Sequence, residues 1–100
     1  MSDLLALKKD IINQFGTPCA VVDLNILEKN ITRVQKICDE AGVSNRPHIK
    51  THKSCEIARM QVDAGASGVT CQKVGEAEVM AAAGIKDILI CLLYTSDAAD

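Results

Sequence analysis

Apolar residues recur along this chain at two spacings that alternate, one helical and one extended. Leu4, Leu7, Ile11 and Phe15 return every three or four positions and share one helical face. Gly16 and Pro18 end that helix. Cys19-Ala20-Val21-Val22 follows as a short β-prone run. Leu24, Leu27, Ile31, Val34 and Cys38 line a second helix, which closes at Gly42. Asp23 or Asn25 caps it, and Glu28 would complete a capping box from Asn25. Arg46 to Lys50 reads as a strand, with Pro47 tolerable at its start. Ser54 caps a third helix that runs to about Ala64 and is closed by Gly65. Gly68-Val69-Thr70-Cys71 is strand-like. Val74, Ala77 and Ala81 mark a fourth helical face, closed by Gly84. Asp87-Ile88-Leu89-Ile90 is again a strand.

One helix followed by repeated β-α units predicts an α/β fold with a parallel sheet and crossover helices. Short strands with compact helices favour part of a (β/α)8 TIM barrel over an open doubly wound sheet. No G-x-G-x-x-G turn follows a strand, which argues against a dinucleotide site. The chain divides into a helix over 1–16, a strand and helix over 17–45, three barrel strands with their helices over 46–90, and a tail over 91–100. That tail, from Cys91 to Asp100, resembles translated read-through of a sequencing adapter, which would end the native sequence near Ile90. The other reading is a strand continuing through Leu93 into a polar turn. A full barrel takes roughly 250 residues, so the chain holds an incomplete one. Its outer strands would keep open edges, and the isolated chain is expected to be poorly soluble or partly unfolded.

Composition narrows the function classes. The 100 residues are 48% hydrophobic and 24% charged with net charge −2, which suits one globular domain or part of one and offers no basic face to nucleic acid. Aromatic content of 2% without Trp removes any base-stacking platform. No run is apolar enough to span a membrane. The N-terminus carries Asp3, Lys8, Lys9 and Asp10 among its leucines and lacks a signal peptide's apolar centre. A cytoplasmic location is expected. Cys19, Cys38, Cys55, Cys71 and Cys91 then read as free thiols that act as small apolar packers, since their number is odd and no C-x-x-C occurs.

Candidate chemistry concentrates in Arg46-Pro47-His48-Ile49-Lys50-Thr51-His52-Lys53. On a strand, side chains alternate faces, so Arg46, His48, Lys50 and His52 would share one wholly polar side. Such a stripe suits a site better than a core. A neutral lysine amine can form a Schiff base with an aldehyde. Burial and nearby positive charge, here Lys53 and a protonated His48 or His52, would make Lys50 neutral more often. A strand's C-terminal end is also where barrel enzymes keep their chemistry. His52 is the better candidate to orient a cofactor or relay protons; His48 could equally make a structural hydrogen bond. Arg46, at the strand's bottom, reads as an ion-pair partner. Lys53 is either part of the site or a solvated loop lysine. His48 and His52 would lie about 13 Å apart on a strand, too far to share a metal. Thr70 and Gln72, ending the next strand, could meet a cofactor or simply be loop polarity. Glu76 and Glu78 suit the start of a helix dipole.

Three segments together resemble the N-terminal part of the D-threonine aldolase and D-serine dehydratase family, pyridoxal-phosphate enzymes of the alanine racemase fold. They are Thr17 to Leu24 with Leu27-Glu28-Lys29-Asn30-Ile31, the Arg46 to Lys53 run, and Gly68 to Met80 continuing into Asp87 to Ile90. The resemblance implies that Lys50 holds the cofactor as a Schiff base, with His52, Thr70 and Gln72 as candidate cofactor contacts. It also implies that the strand near residues 18–23 belongs with a separate C-terminal β-domain, and that the barrel begins at Arg46. A divalent metal, Mn or Zn, is expected in the full-length parent, with its ligands downstream of this chain. The implied reaction is cleavage of D-threonine to glycine and acetaldehyde. The alternatives are water elimination from D-serine and a non-catalytic pyridoxal-phosphate carrier. The substrate is a small D-amino acid, and the parent is a possible homodimer. The fragment alone is expected to be inactive.

Overall fold

The computed structural model describes residues 2–91. Helix α1 spans Ser2–Phe15 and α2 spans Leu24–Ala41. Asp23 caps α2: its carboxylate accepts the Ile26 N–H at 3.1 Å. Asn25 falls inside the helix, so the alternative capping box with Glu28 does not form. Gly42 ends α2 in the left-handed region at φ 70°, where a side chain would be strained. Helix α3 (Cys55–Asp63) starts at Ser54, whose Oγ accepts the Ile57 N–H at 3.2 Å. Strand β1 is Val69–Cys71, helix α4 is Val74–Ala82 and strand β2 is Ile88–Ile90. Glu76 on α4 reaches back to accept the Gln72 N–H at 2.8 Å, a use more specific than a favourable dipole.

The sheet is parallel, as the β-α alternation predicts. Val69, Thr70 and Cys71 pair with Ile88, Leu89 and Ile90 in that order. The ladder runs one residue further, since the Cys91 N–H donates to the Cys71 carbonyl at 2.9 Å. The expectation that residues 91–100 are foreign otherwise falls on positions outside the described residues.

Two expected strands come out differently. Cys19–Val22 is not a strand. It has no ladder partner among the described residues, and Val21 and Val22 are 66% and 50% exposed. β-propensity alone does not hold a strand without a partner. Arg46–Lys50 is reduced to a single bridge between His48 and Thr70. There the Ile49 N–H donates to Thr70 and the Thr70 N–H donates to Pro47, at 3.0 and 2.8 Å. The ladder stops because its next groups are taken: the Ile49 carbonyl accepts the Lys53 N–H at 2.8 Å, and the Gln72 N–H goes to Glu76.

The register sorts the side chains into two faces. Ile49, Val69 and Cys71 are fully buried against Ala58 of α3 and Ala77 and Met80 of α4, with Ile88 and Ile90 packed alongside. His48, Thr70 and Leu89 are bridge or ladder neighbours and share the opposite face. Leu89 is 53% exposed there, so this face carries no helical cover in the described residues. Lys50, two residues past His48, continues it.

The bottom of the sheet is held by Arg46. Its guanidinium pairs with the Asp87 carboxylate at 2.8 Å and donates to the carbonyls of Val69 and Asp87. Arg46 is thus the ion-pair partner the sequence indicated. The hydrogen bond from Arg46, reinforced by its charge, lowers the Asp87 carboxyl from its ordinary value of 3.8. A carboxyl with a lowered folded value stabilises the fold above its unfolded value, and that contribution is lost as pH falls through the folded value. In the parent protein, Asp87→Asn is therefore expected to lower the urea midpoint at neutral pH, with the gap to wild type closing once pH drops below 3.8. A gap independent of pH would show that the pair does not act through this carboxylate.

Candidate functional site

Lys50 stands where a barrel enzyme keeps its reactive groups, at the C-terminal end of the bridging segment and on the helix-free face. Its neighbour Ile49 is fully buried and anchors the backbone, while Lys50 itself is exposed. The enclosure expected to bury this amine is not among the described residues. Among the described residues the ion pairs are Lys36–Glu40 and Arg46–Asp87, so no carboxylate holds the Lys50 amine.

The histidines depart from the simple strand picture. The chain turns at residues 50–52, and Lys53 adopts a positive φ of 50°. Strand alternation therefore ends at Lys50, and His52 does not share its face. The His52 ring lies in a groove of about 340 Å³ between α2 and α3, with Leu27, Ile31, Pro47 and Gln61, and Lys50 takes no part in that lining. His52 Nδ1 accepts the Ser54 N–H at 2.9 Å, and Nε2 lies 3.3 Å from Gln61 Oε1. An amide N–H can only donate, so Nδ1 is the acceptor and Nε2 carries the proton given to Gln61. His48 makes the structural hydrogen bond that was one of its two readings: Nδ1 accepts the Lys50 N–H at 3.2 Å.

Thr70 is buried in the middle of its strand, and its hydroxyl donates to the Arg46 carbonyl at 3.1 Å. It therefore ties the Lys50-bearing segment to β1 below the rim. Gln72 is half-buried just past the end of β1, at the same end of the sheet as Lys50. Lys53 is an exposed turn residue. Burial, then the nearby Glu76, pushes the Cys71 thiol up, which keeps it an inert packing group. No group of three or more His, Cys, Asp or Glu side chains among the described residues could hold a metal ion. No helix among them is long and apolar enough to cross a membrane.

Sequence reasoning missed Gln61 and Asp87. Gln61 sits seven residues after Ser54 on a helix whose periodicity showed only its apolar side. Asp87 reads in the sequence only as the start of a strand; its pairing with Arg46 reaches across β1, which lies between the two segments, and no local pattern marks it.

The family described as alanine racemase, N-terminal domain, matches residues 22–100. The chain belongs to this family. Within it, the chain is 47% identical over 81 residues to D-threo-3-hydroxyaspartate dehydratase from Delftia sp. (strain HT23), covering 81% of this chain and 21% of that protein. It is 46% identical over 81 residues to D-threonine aldolase from Arthrobacter sp., again 81% of this chain and 21% of the relative. The solved structure of D-threonine aldolase from Filomicrobium marinum superposes with a TM-score of 0.72 at 46% identity, over 74% of this chain and 20% of that one. The Delftia dehydratase structure gives a TM-score of 0.76 at 45% identity, over 82% and 22%. The alanine racemase N-terminal fold is thus established, and the chain spans about a fifth of the length of these relatives. The relatives are lyases of D-hydroxy-amino acids by name.

Proposed function

We propose that Lys50 is the pyridoxal-phosphate lysine of a lyase that acts on D-amino acids bearing a β-hydroxyl group. The observation that supports this most is the position of Lys50. It is an exposed primary amine, unpaired among the described ion pairs, at the C-terminal end of a segment fixed by buried Ile49. That donor chemistry fits the aldehyde end of the cofactor, and half-buried Gln72 follows β1 at the same end of the sheet. When bound, the cofactor supplies an electron sink for the pair released by a bond broken at the substrate Cα. Lys50 Nζ would hold the cofactor aldehyde as a neutral amine, and the same nitrogen could hold a proton during the reaction. Thr70 and Arg46 keep the segment in register. Phosphate contacts and the divalent metal, Mn or Zn, would come from the remainder of the parent.

Similarity to D-threonine aldolase supports Cα–Cβ cleavage of D-threonine to glycine and acetaldehyde. Similarity to D-threo-3-hydroxyaspartate dehydratase, at nearly the same identity, supports water elimination as the second reading. The test is a substrate panel for the cofactor-loaded, full-length parent: D-threonine, D-serine and D-threo-3-hydroxyaspartate, each with Mn²⁺ or Zn²⁺. Glycine and an aldehyde are expected for the aldolase, a keto acid and ammonia for the dehydratase. Bound cofactor without turnover of any of the three would sink the lyase reading and leave a carrier.

A further inference from the structure

The Lys50 turn is hydrogen-bonded at both ends. Upstream, buried Ile49 donates its N–H to Thr70 and accepts the Lys53 N–H through its carbonyl at 2.8 Å. Downstream, His52 Nδ1 holds the Ser54 N–H at 2.9 Å, and Ser54 in turn caps α3 through the Ile57 N–H. The far ring nitrogen is 3.3 Å from Gln61 Oε1, nearly two turns along the helix from Ser54. Both His52 nitrogens are therefore occupied, and the ring is sunk in the α2–α3 groove that Lys50 does not line. A ring so placed has no free polar atom to offer a cofactor.

We propose that His52 is a positioning residue for Lys50: it acts as a neutral clasp between the turn and α3, and its ring meets neither cofactor nor substrate. This rests on the reading of Lys50 as the cofactor lysine. The clasp works on the backbone. It fixes the path from Ile49 to Ser54, which sets where the Lys50 side chain starts. Proton relay and charge shielding are then not its tasks. The bond that matters is an acceptor offered to an N–H two residues on, a geometry that an asparagine side chain also supplies through Oδ1.

The experiment uses the full-length parent, freed of cofactor and then mixed with pyridoxal phosphate. The rate and extent of the visible absorbance of the lysine-bound cofactor are followed for wild type, Lys50→Ala, His52→Ala and His52→Asn. His52→Ala is expected to slow coupling about tenfold, the size carried by one lost hydrogen bond. His52→Asn, which keeps the Ser54 acceptor but has no titrating ring, is expected to restore the rate to within about threefold of wild type. Equal damage in the two variants would overturn the proposal, because a ring needed for contact or proton transfer is not replaced by an amide. So would wild-type coupling in His52→Ala measured well below its melting temperature. Lys50→Ala separates the two ideas: absorbance that survives it removes the cofactor-lysine reading itself, whatever the His52 variants do.

Discussion

Lys50→Ala in the cofactor-loaded parent is expected to abolish the visible absorbance of the lysine-bound cofactor and to reduce turnover by on the order of a thousandfold or more, the scale of loss when a covalent catalytic group is deleted. The effect should be chemical and local. Lys50 is exposed, and the backbone around it is held by Ile49, Thr70 and Lys53 through main-chain bonds that alanine keeps. The backbone path of the variant should therefore be kept, since every one of those bonds survives the substitution. Lys50→Arg sharpens the point. Arginine preserves positive charge and length, but its guanidinium does not give up a proton in proteins and cannot attack an aldehyde. It is expected to be as inactive as alanine. Activity retained by Lys50→Arg would mean that Lys50 serves as a point charge and that another amine holds the cofactor.

The architecture was legible wherever a local pattern coincided with a tertiary need. Four helices were marked by periodicity and stops, and Ser54 and Gly42 act at the ends the sequence assigned to them. The alternating order of elements announced a parallel sheet, because crossover helices and parallel strands require each other. Cys19–Val22 failed for a general reason. Its β-propensity is real, but propensity describes fit to a neighbouring strand, and the described residues supply none. Arg46–Lys50 is shortened to a single parallel bridge for a particular one. Two backbone groups that would extend the ladder, the Ile49 carbonyl and the Gln72 N–H, are claimed by Lys53 and by the Glu76 side chain. No period in the sequence reveals a competition of that kind.

The site divides along the same line. Lys50 is a candidate from the sequence through its place in the Arg46–Lys53 run and the family resemblance of that run, and the structure adds that it is exposed just past buried Ile49. His52 was misplaced onto the Lys50 face because alternation was extended past the strand into a turn. The turn itself left a faint mark: Lys53 stands in the left-handed region without being glycine or asparagine, which single-sequence reading has no means to anticipate. Thr70 and Gln72 are two residues apart yet have different tasks. One lies inside the ladder with its hydroxyl committed, and the other lies just beyond the ladder's end, half-buried. That distinction depends on where β1 ends, and element boundaries are what sequence patterns specify least.

Gly68→Ala is expected to be strongly destabilising, although it adds only one methyl group. Gly68 needs no unusual backbone angle; its requirement is space. A Cβ there would stand 2.2 Å from the Asp87 carbonyl oxygen and 2.8 Å from both Arg46 Nη1 and Asp87 Cβ. The nearest of these is backbone, so it cannot move aside as a flexible side chain could. Relief requires the foot of β2 to shift away from β1. That shift breaks the bond from the Val69 N–H to Asp87, now 3.0 Å, and opens the Arg46–Asp87 pair. Overpacking alone costs about 1–3 kcal/mol, and a broken buried backbone bond adds to it, so a loss of roughly 3 kcal/mol or more is expected in the parent's urea unfolding. Gly75→Ala is the control. Gly75 lies within α4, and a Cβ there meets nothing within 4 Å. Replacing a helical glycine in open space should be neutral or stabilise by up to about 1 kcal/mol. The sheet also joins the clash to the site, because Arg46 belongs to the segment that carries Lys50. A Gly68→Ala parent that still folds should therefore couple pyridoxal phosphate more slowly as well as unfold more easily. An unchanged urea midpoint would show that β2 can slide past β1 without cost, and that the Arg46 clamp does not set the position of the sheet.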